Sequence, residues 1–328
     1  MKFRILGKTG FKISEISLGT WQVGGRWGTP FSDGNAESIL HAAIDAGINF
    51  IDTADVYGDG MSERAVGRVV RNRDERIFVA TKCGRRLDPH TNEAYTPAAL
   101  RQFVEESLKN SGLETIDLIQ LHCPPREVYG RPEIFGLFER LREEGKILHM
   151  GVSVEKVEEA MRAMDYDNVT TVQIIFNMFR HKPAELFFPK AEDRNVGIIV
   201  RVPLASGLLT GRYTRATRFD PGDHRYFNRD GAMFDKGETF SGVDFETGLR
   251  AVEELKGLFP GRENLAALAL RWILMFPEVG CVIPGASGLN QLRSNLGALE
   301  EPALSTGQME GVKRLYDRLI REQVHHLW

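Results

Sequence analysis

Ile48-Asn49-Phe50-Ile51-Asp52-Thr53-Ala54-Asp55-Val56-Tyr57-Gly58 is the stretch from which the fold can be read. An apolar run stops at a carboxylate, and a phenol follows five residues later. Such a run reads as a strand buried on both faces, the habit of a parallel sheet. The event recurs twice. Ile77-Phe78-Val79-Ala80-Thr81 ends at Lys82, and Ile116-Asp117-Leu118-Ile119-Gln120-Leu121 ends at His122. Three ionisable groups stand where successive strands stop, and Tyr57 lies just beyond the first. If the strands are neighbours, a carboxylate, a phenol, an ammonium and an imidazole meet at one mouth. That is a proton-donating site. A free phenol titrates near pH 10, and a neighbouring cation lowers that value. Asp52 can hold Lys82 charged and oriented, and His122 can hydrogen-bond a carbonyl oxygen beside the Tyr57 hydroxyl.

Outward from these runs, strand-like and amphipathic segments alternate. Ile16-Ser17-Leu18 precedes a helix over Ala36–Ala46. The strand ending at Asp52 precedes a helix near Ser62–Val70, for which Ser62 offers a cap. The strand ending at Lys82 precedes a helix opened by Thr96-Pro97 and stopped at Gly112. Then come a helix at Pro132–Glu144, a strand at Ile147–Val152, a helix at Glu155–Met164, a strand at Thr171–Phe176, a helix near Ala184–Asn195 and a strand at Gly197–Val202. The eighth strand is Cys281–Ile283, followed by a helix near Leu289–Leu299. Eight strands alternating with helices predict an α/β fold, a (β/α)8 TIM barrel forming one domain over residues 1–328. A doubly wound sheet that binds a dinucleotide would carry G-x-G-x-x-G after its first strand, and no such motif stands there. Phe3–Leu6 and Phe11–Ile13, around Gly7-Lys8-Thr9-Gly10, predict an N-terminal β-hairpin that caps one barrel end. The stretch after Thr306 predicts an extra C-terminal helix. Ala205–Gly242 is long and weakly periodic, as functional or disordered loops are. Barrel enzymes place their sites at the C-terminal ends of the strands, where Asp52, Lys82 and His122 stand.

The chain has 328 residues, 42% of them hydrophobic, enough for a sizeable core, and a formal net charge of −3. That balance argues against a nucleic-acid partner. Cys83, Cys123 and Cys281 are odd in number and far apart, which suggests a reducing compartment, and none has metal-ligand spacing. The first residues carry no signal-peptide core and no stretch reaches 18 apolar residues. A cytoplasmic protein without a membrane partner is the expectation, with the oligomeric state left open.

With D-x-A-x-x-Y-G at Asp52–Gly58, a strand ending in Thr81-Lys82 and another in Leu121-His122, the chain resembles the aldo-keto reductases from Gly19-Thr20-Trp21 to Asn295. The resemblance implies NAD(P)H-dependent reduction of a small aldehyde or ketone, with Asp52, Tyr57, Lys82 and His122 as the catalytic residues. It implies a nicotinamide cofactor lying across the barrel mouth. Ser153 and Gln173 match carboxamide contacts, although Val154 stands where the family often has asparagine. Arg201 stands where many members stack an aromatic ring on the nicotinamide. A guanidinium plane can stack there too, or Arg201 can form a salt bridge at the strand end. Pro203, Leu204, Gly207, Leu209, Gly211 and Arg212 match a pyrophosphate loop, and Gly285, Ser287, Gln291 and Asn295 match the adenosine end. Thr20 and Trp21, just after the first strand, are counted with the cofactor-binding residues, and Trp21 either lines the substrate pocket or is a buried structural residue. The expected cofactor is NADPH, with NADH possible. Members that strongly prefer NADPH carry a base near Gly285, Ser287 or Gln291, and here the nearest cation is Arg293, so the expected preference is modest. The same resemblance includes a second class of protein, cofactor-binding regulatory subunits of potassium channels.

Overall fold

The structure, a computed structural model, describes residues 1–25 and 29–328. Strands β1 (Phe3–Ile5) and β2 (Lys12–Ser14) pair antiparallel around the turn Gly7–Thr9. Then follow β3 (Leu18–Gly19), α1 (Asp33–Asp45), β4 (Phe50–Asp52), α2 (Met61–Val70), β5 (Phe78–Cys83), α3 (Pro97–Ser111), β6 (Ile116–His122), α4 (Pro132–Glu143), β7 (Ile147–Ser153), α5 (Val157–Ala163), β8 (Val169–Ile175), α6 (Phe187–Asp193) and β9 (Gly197–Arg201). The chain ends with α7 (His224–Phe227), α8 (Phe245–Leu258), α9 (Leu265–Ile273), β10 (Val279–Val282), α10 (Leu289–Leu296), α11 (Thr306–Leu319) and α12 (Arg321–Val324). Strands β3 to β10 pair in parallel in chain order. Bridges between Ile16 and Val282 and between Gly19 and Gly285 bring the first against the last. This is the (β/α)8 barrel the alternation predicts.

Register places the chemistry. Asp52 pairs with Gly19 and Ala80, Lys82 with Gln120, and Ser153 with both His122 and Gln173. Adjacent strands thus deliver their last residues to one rim. The opposite end is filled by the hairpin, whose Leu6, Phe11 and Ile13 pack with Phe50, Ala80, Leu118, Ile199 and Cys281. The Arg4 guanidinium fixes it there by donating to the carbonyls of Leu274, Phe276 and Val279 at 2.6, 3.0 and 2.8 Å.

Helix α3 begins and ends as its sequence predicts: Thr96 accepts from the Ala99 amide, Pro97 fills the first turn and Gly112 is left-handed at φ 66°. Helix α11 is the extra C-terminal helix, opened by a reciprocal Ser305–Gln308 cap. Three expectations change. Ser62 does not cap α2, which starts from Gly60 without a side-chain cap; its hydroxyl donates to Thr20 at 2.7 Å and accepts from Thr53 at 2.9 Å. The first barrel strand is Leu18–Gly19, with Ile16 only bridging to Val282. Helices α8 and α9, between β9 and β10, have no counterpart in the sequence assignment. The long segment 205–242 contains 3-10 turns at Ala205–Thr210, Lys236–Glu238 and Phe240–Gly242 and the short α7. Among the described residues no helix is long and apolar enough to cross a membrane.

Helices α2 and α3 meet at Gly67, where a methyl group would lie 1.9 Å from the Ser111 carbonyl oxygen. Alanine gains up to about 1 kcal/mol in helix propensity, but overpacking costs about 1–3 kcal/mol or more. Gly67→Ala is therefore expected to lower the urea midpoint. An unchanged or higher midpoint would mean that the two helices part freely.

Candidate active site

Lys82 is buried to 1% exposure behind the barrel mouth. Its ammonium donates to the Asp52 carboxylate, to the Thr53 carbonyl at 2.8 Å and to the Tyr57 hydroxyl at 3.4 Å, using all three of its protons. The second Asp52 oxygen accepts from the amides of Gln120 at 3.0 Å and Gln173 at 2.8 Å, and these amides bond each other at 3.1 Å. A buried ion pair stabilises only when its remaining donors and acceptors are satisfied, as they are here. Burial disfavours the ammonium, but the Asp52 charge and Tyr57 outweigh it, and the Lys82 pKa lies above its ordinary value.

Tyr57 corrects the sequence argument. Burial pushes its pKa up, Lys82 pulls it down, and Asp52 and Glu238 push it up again; the net direction is upward. The phenol is held protonated, with an ammonium aimed at its oxygen. Such a group can give up a proton while the cation stabilises the charge that forms. His122 moves the other way: burial, then Arg85, Lys82 and Arg201, hold its pKa well below the usual value. Its Nδ1 is buried without a hydrogen-bond partner. The neutral imidazole stands edge-on to Tyr57, ring centroids 6.2 Å apart. The Trp21 ring lies 5.4 Å from Tyr57 on the cavity wall, with His224 and Phe234 at 6.0 and 6.2 Å from Trp21.

These groups open into a cavity of roughly 1240 Å³, more than the 300–1,000 Å³ or so of a single small-ligand pocket. Asp52, Tyr57, His122, Thr20, Trp21, Gln173, Arg201, Pro203, Leu204, Gly207, Gly211, Arg212, Gly285, Ser287, Gln291 and Asn295 line it. Lys82, Ser153, Leu209 and Arg293 are not on its wall. Ser153 is fully buried with its hydroxyl 3.7 Å from Cys123 Sγ, and Leu209 belongs to the core. Along the loop after β9, Val202, Ala205, Ser206 and Gly207 have φ of 50°, 47°, 53° and 95°. Left-handed non-glycine residues are costly and cluster at ligand sites, and such turns can form an anion-binding concavity. Room for a dinucleotide plus a small molecule, bordered by that loop, fits an extended nicotinamide cofactor.

For Arg201 the salt bridge is what the structure shows. Its guanidinium donates to Glu155 at 2.8 Å and to the Val154 carbonyl at 2.9 Å, and lies 3.8 Å from Glu238, which also pairs with Arg85 at 2.9 Å. Burial pushes the Glu155 carboxyl up, helped by the facing Glu238. Despite burial, Arg85 and Arg201 hold Glu238 down. Sequence reasoning offered a salt bridge for Arg201 but missed its partners Glu155, Glu238 and Arg85, as well as Gln120, His224 and Phe234. Gln120 could have been found, because it lies two residues before His122 on one strand face. Glu238, deep in the long loop, carries no such signal.

With this geometry in view, the aldo/keto reductase family model matches residues 15–317. The chain is 31% identical to the Bacillus subtilis aldo-keto reductase YhdN over 332 residues, covering 99% of this chain and 96% of that one. It is 28% identical to a probable voltage-gated potassium channel subunit beta of Arabidopsis thaliana, covering 93% of each. The solved glycerol dehydrogenase of Gluconobacter oxydans superposes with a TM-score of 0.76 at 31% identity, covering 97% of this chain and 95% of that one.

Asp55, two residues before Tyr57, is buried with neither carboxylate oxygen bonded. Burial, reinforced by Glu63, pushes its pKa to about 7. The folded state therefore holds a proton that the unfolded chain, titrating near 4, releases. Stability from this group is present below about pH 4 and is lost as pH rises through 7, by about 4 kcal/mol in all. Asp55→Asn is expected to flatten the fall in Tm between pH 5 and 8; a slope identical to wild type would show that Asp55 is not the group that titrates.

Proposed function

The chain belongs to the aldo/keto reductase family and is an NAD(P)H-dependent oxidoreductase, and from that premise we propose that one barrel domain over residues 1–328 reduces an aldehyde or ketone to an alcohol with NADPH, Tyr57 giving the proton. The observation that carries the assignment is the third hydrogen bond of Lys82: a buried ammonium, fixed by Asp52, has its remaining proton on the Tyr57 oxygen.

The roles follow from the contacts. A carbonyl oxygen seated between Tyr57 and His122 meets a protonated phenol and a neutral imidazole. The imidazole orients the oxygen through one N–H and does not compete as an acid. A bound nicotinamide supplies the hydride. As the oxygen becomes basic, Tyr57 releases its proton to it, and Lys82 stabilises the phenolate left behind. Gln173 spends its amide nitrogen on Asp52 and Gln120, which leaves its oxygen to accept from a carboxamide. Trp21, His224 and Phe234 form an aromatic wall beside Tyr57 that keeps water from the reacting carbon. Arg201 lines the same cavity held in place by Glu155 and Glu238, and positions the cofactor from the rim.

The solved relative is a glycerol dehydrogenase, and a small polyol-derived aldehyde or ketone belongs in the substrate panel. The channel-subunit relative is the reason to measure turnover and not cofactor binding alone. Tyr57→Phe is expected to lower the rate of carbonyl-dependent NADPH oxidation by about 10²–10⁴-fold, with NADPH still quenching protein fluorescence at the same concentration. Undiminished turnover would remove Tyr57 from the reaction, and wild-type protein that binds NADPH but reduces none of the panel would favour the regulatory role.

A further inference from the structure

Two buried side chains stack behind the cavity wall. Trp328, which follows α12, is 5% exposed, and Arg180, in the loop after β8, is 1% exposed. The Arg180 guanidinium lies 3.9 Å from the centroid of the Trp328 ring, and a desolvated cation gains most from an aromatic face. Neither residue lines the cavity.

Both grip the same stretch of the long segment. The Trp328 indole N–H donates to Asp235 Oδ1 at 2.8 Å. The ring fills the space beside Gly237 and Gly242: a methyl group on Gly237 would lie 2.8 Å from Trp328 Cε2, and one on Gly242 would overlap the ring. Arg180 donates to the carbonyls of Ser241 at 3.0 Å and Gly237 at 3.5 Å. Asn177, three residues before it, donates to the Ser241 hydroxyl oxygen at 2.7 Å and to the Val202 carbonyl at 2.9 Å. Residues 235–242 are thus held by the loop after β8 and by Trp328.

The other side of this stretch is the cavity wall, which Phe234 and Glu238 line. Phe234 directly precedes Asp235, faces Trp21 with ring centroids 6.2 Å apart and has the Arg85 guanidinium 5.6 Å from its own centroid. Glu238 reaches Arg85 at 2.9 Å and Arg201 at 3.8 Å. The reacting groups are fixed elsewhere: the hydrogen bonds around Asp52, Lys82 and Tyr57 come from β4, β5, β6, β8 and the loop after β4.

We propose that Trp328 and Arg180 are positioning residues for carbonyl reduction. They set where Phe234 and Glu238 stand, and through Phe234 they set how tightly the carbon skeleton of the substrate is held beside Trp21. This rests on the functional reading given above. A wall that shifts weakens substrate binding and leaves the Tyr57–Lys82 chemistry in place, so its effect falls on KM. Lost folding has the opposite signature, because it removes active molecules and lowers apparent kcat at constant KM.

The test is steady-state reduction of benzaldehyde and of propanal by the full chain at saturating NADPH. The benzaldehyde ring is expected to rest on Trp21 and Phe234, a space that propanal is too small to fill. Trp328→Ala should raise KM for benzaldehyde about tenfold, the scale of one lost contact in an apolar pocket, with kcat within about twofold and KM for propanal moved less. Trp328→Phe keeps an aromatic face for Arg180 and loses the bond to Asp235; Arg180→Lys keeps the charge and loses the planar fork. Each should raise the benzaldehyde KM several-fold, and these two carry the test if the alanine variant does not fold. In a Phe234→Ala background Trp328→Ala should add little, since residues that act through one another are not additive. An unchanged benzaldehyde KM, a kcat loss at constant KM, an equal KM rise for both aldehydes or full additivity with Phe234→Ala overturns the proposal and leaves the two residues as packing. Wild-type protein that reduces neither aldehyde overturns the functional reading itself, a distinct result.

Discussion

The ion pair between Asp52 and Lys82 is the constraint on which the rest of this structure depends. Both groups are almost fully buried, and taking two charges from water costs several kcal/mol per ion unless every remaining donor and acceptor is met. Here they are met by groups from β4, β5, β6 and β8 and by the loop after β4. A one-residue slip in any of these strands would turn the polar side chain to the helical layer and leave a charge without its partner. The pairing register of the barrel and the geometry of its site are therefore one requirement.

A second group of charges extends the first outward. Arg85, Glu238, Arg201 and Glu155 alternate in sign and come from the ends of β5 and β9, the loop after β7 and the long segment 205–242. Glu238 in this way ties that segment to the rim. Burial, with Arg85 and Arg201 of this cluster and Lys82 nearby, keeps His122 neutral. The electrostatic character of the imidazole is set by residues far from it in sequence.

That distance marks how much the sequence could disclose. The strand ends were legible because burial on both faces leaves an uninterrupted apolar run that a polar residue visibly terminates, as at Asp52, Lys82 and His122. The caps of α3 were legible because Thr96, Pro97 and Gly112 act within one turn of themselves. The pKa direction of Tyr57 was not, because it is a contest between desolvation and a neighbouring charge, and desolvation is a tertiary quantity. Ser62 stands where a cap would, but its hydroxyl serves Thr20 and Thr53, and only packing decides between such partners. Helix α9 was missed for a related reason. Leu265–Ile273 is buried at every residue but Arg271, so it reads as a short, nearly unbroken apolar run, which does not by itself distinguish a buried helix from a buried strand.

The hairpin at the other end of the barrel has a consequence for traffic. By filling the floor with Leu6, Phe11 and Ile13, it makes the barrel a cup, and a cup has one rim. Whatever reaches Tyr57 comes over that rim and departs over it. A few apolar side chains at the far end of the barrel thus decide on which side the chemistry can be reached.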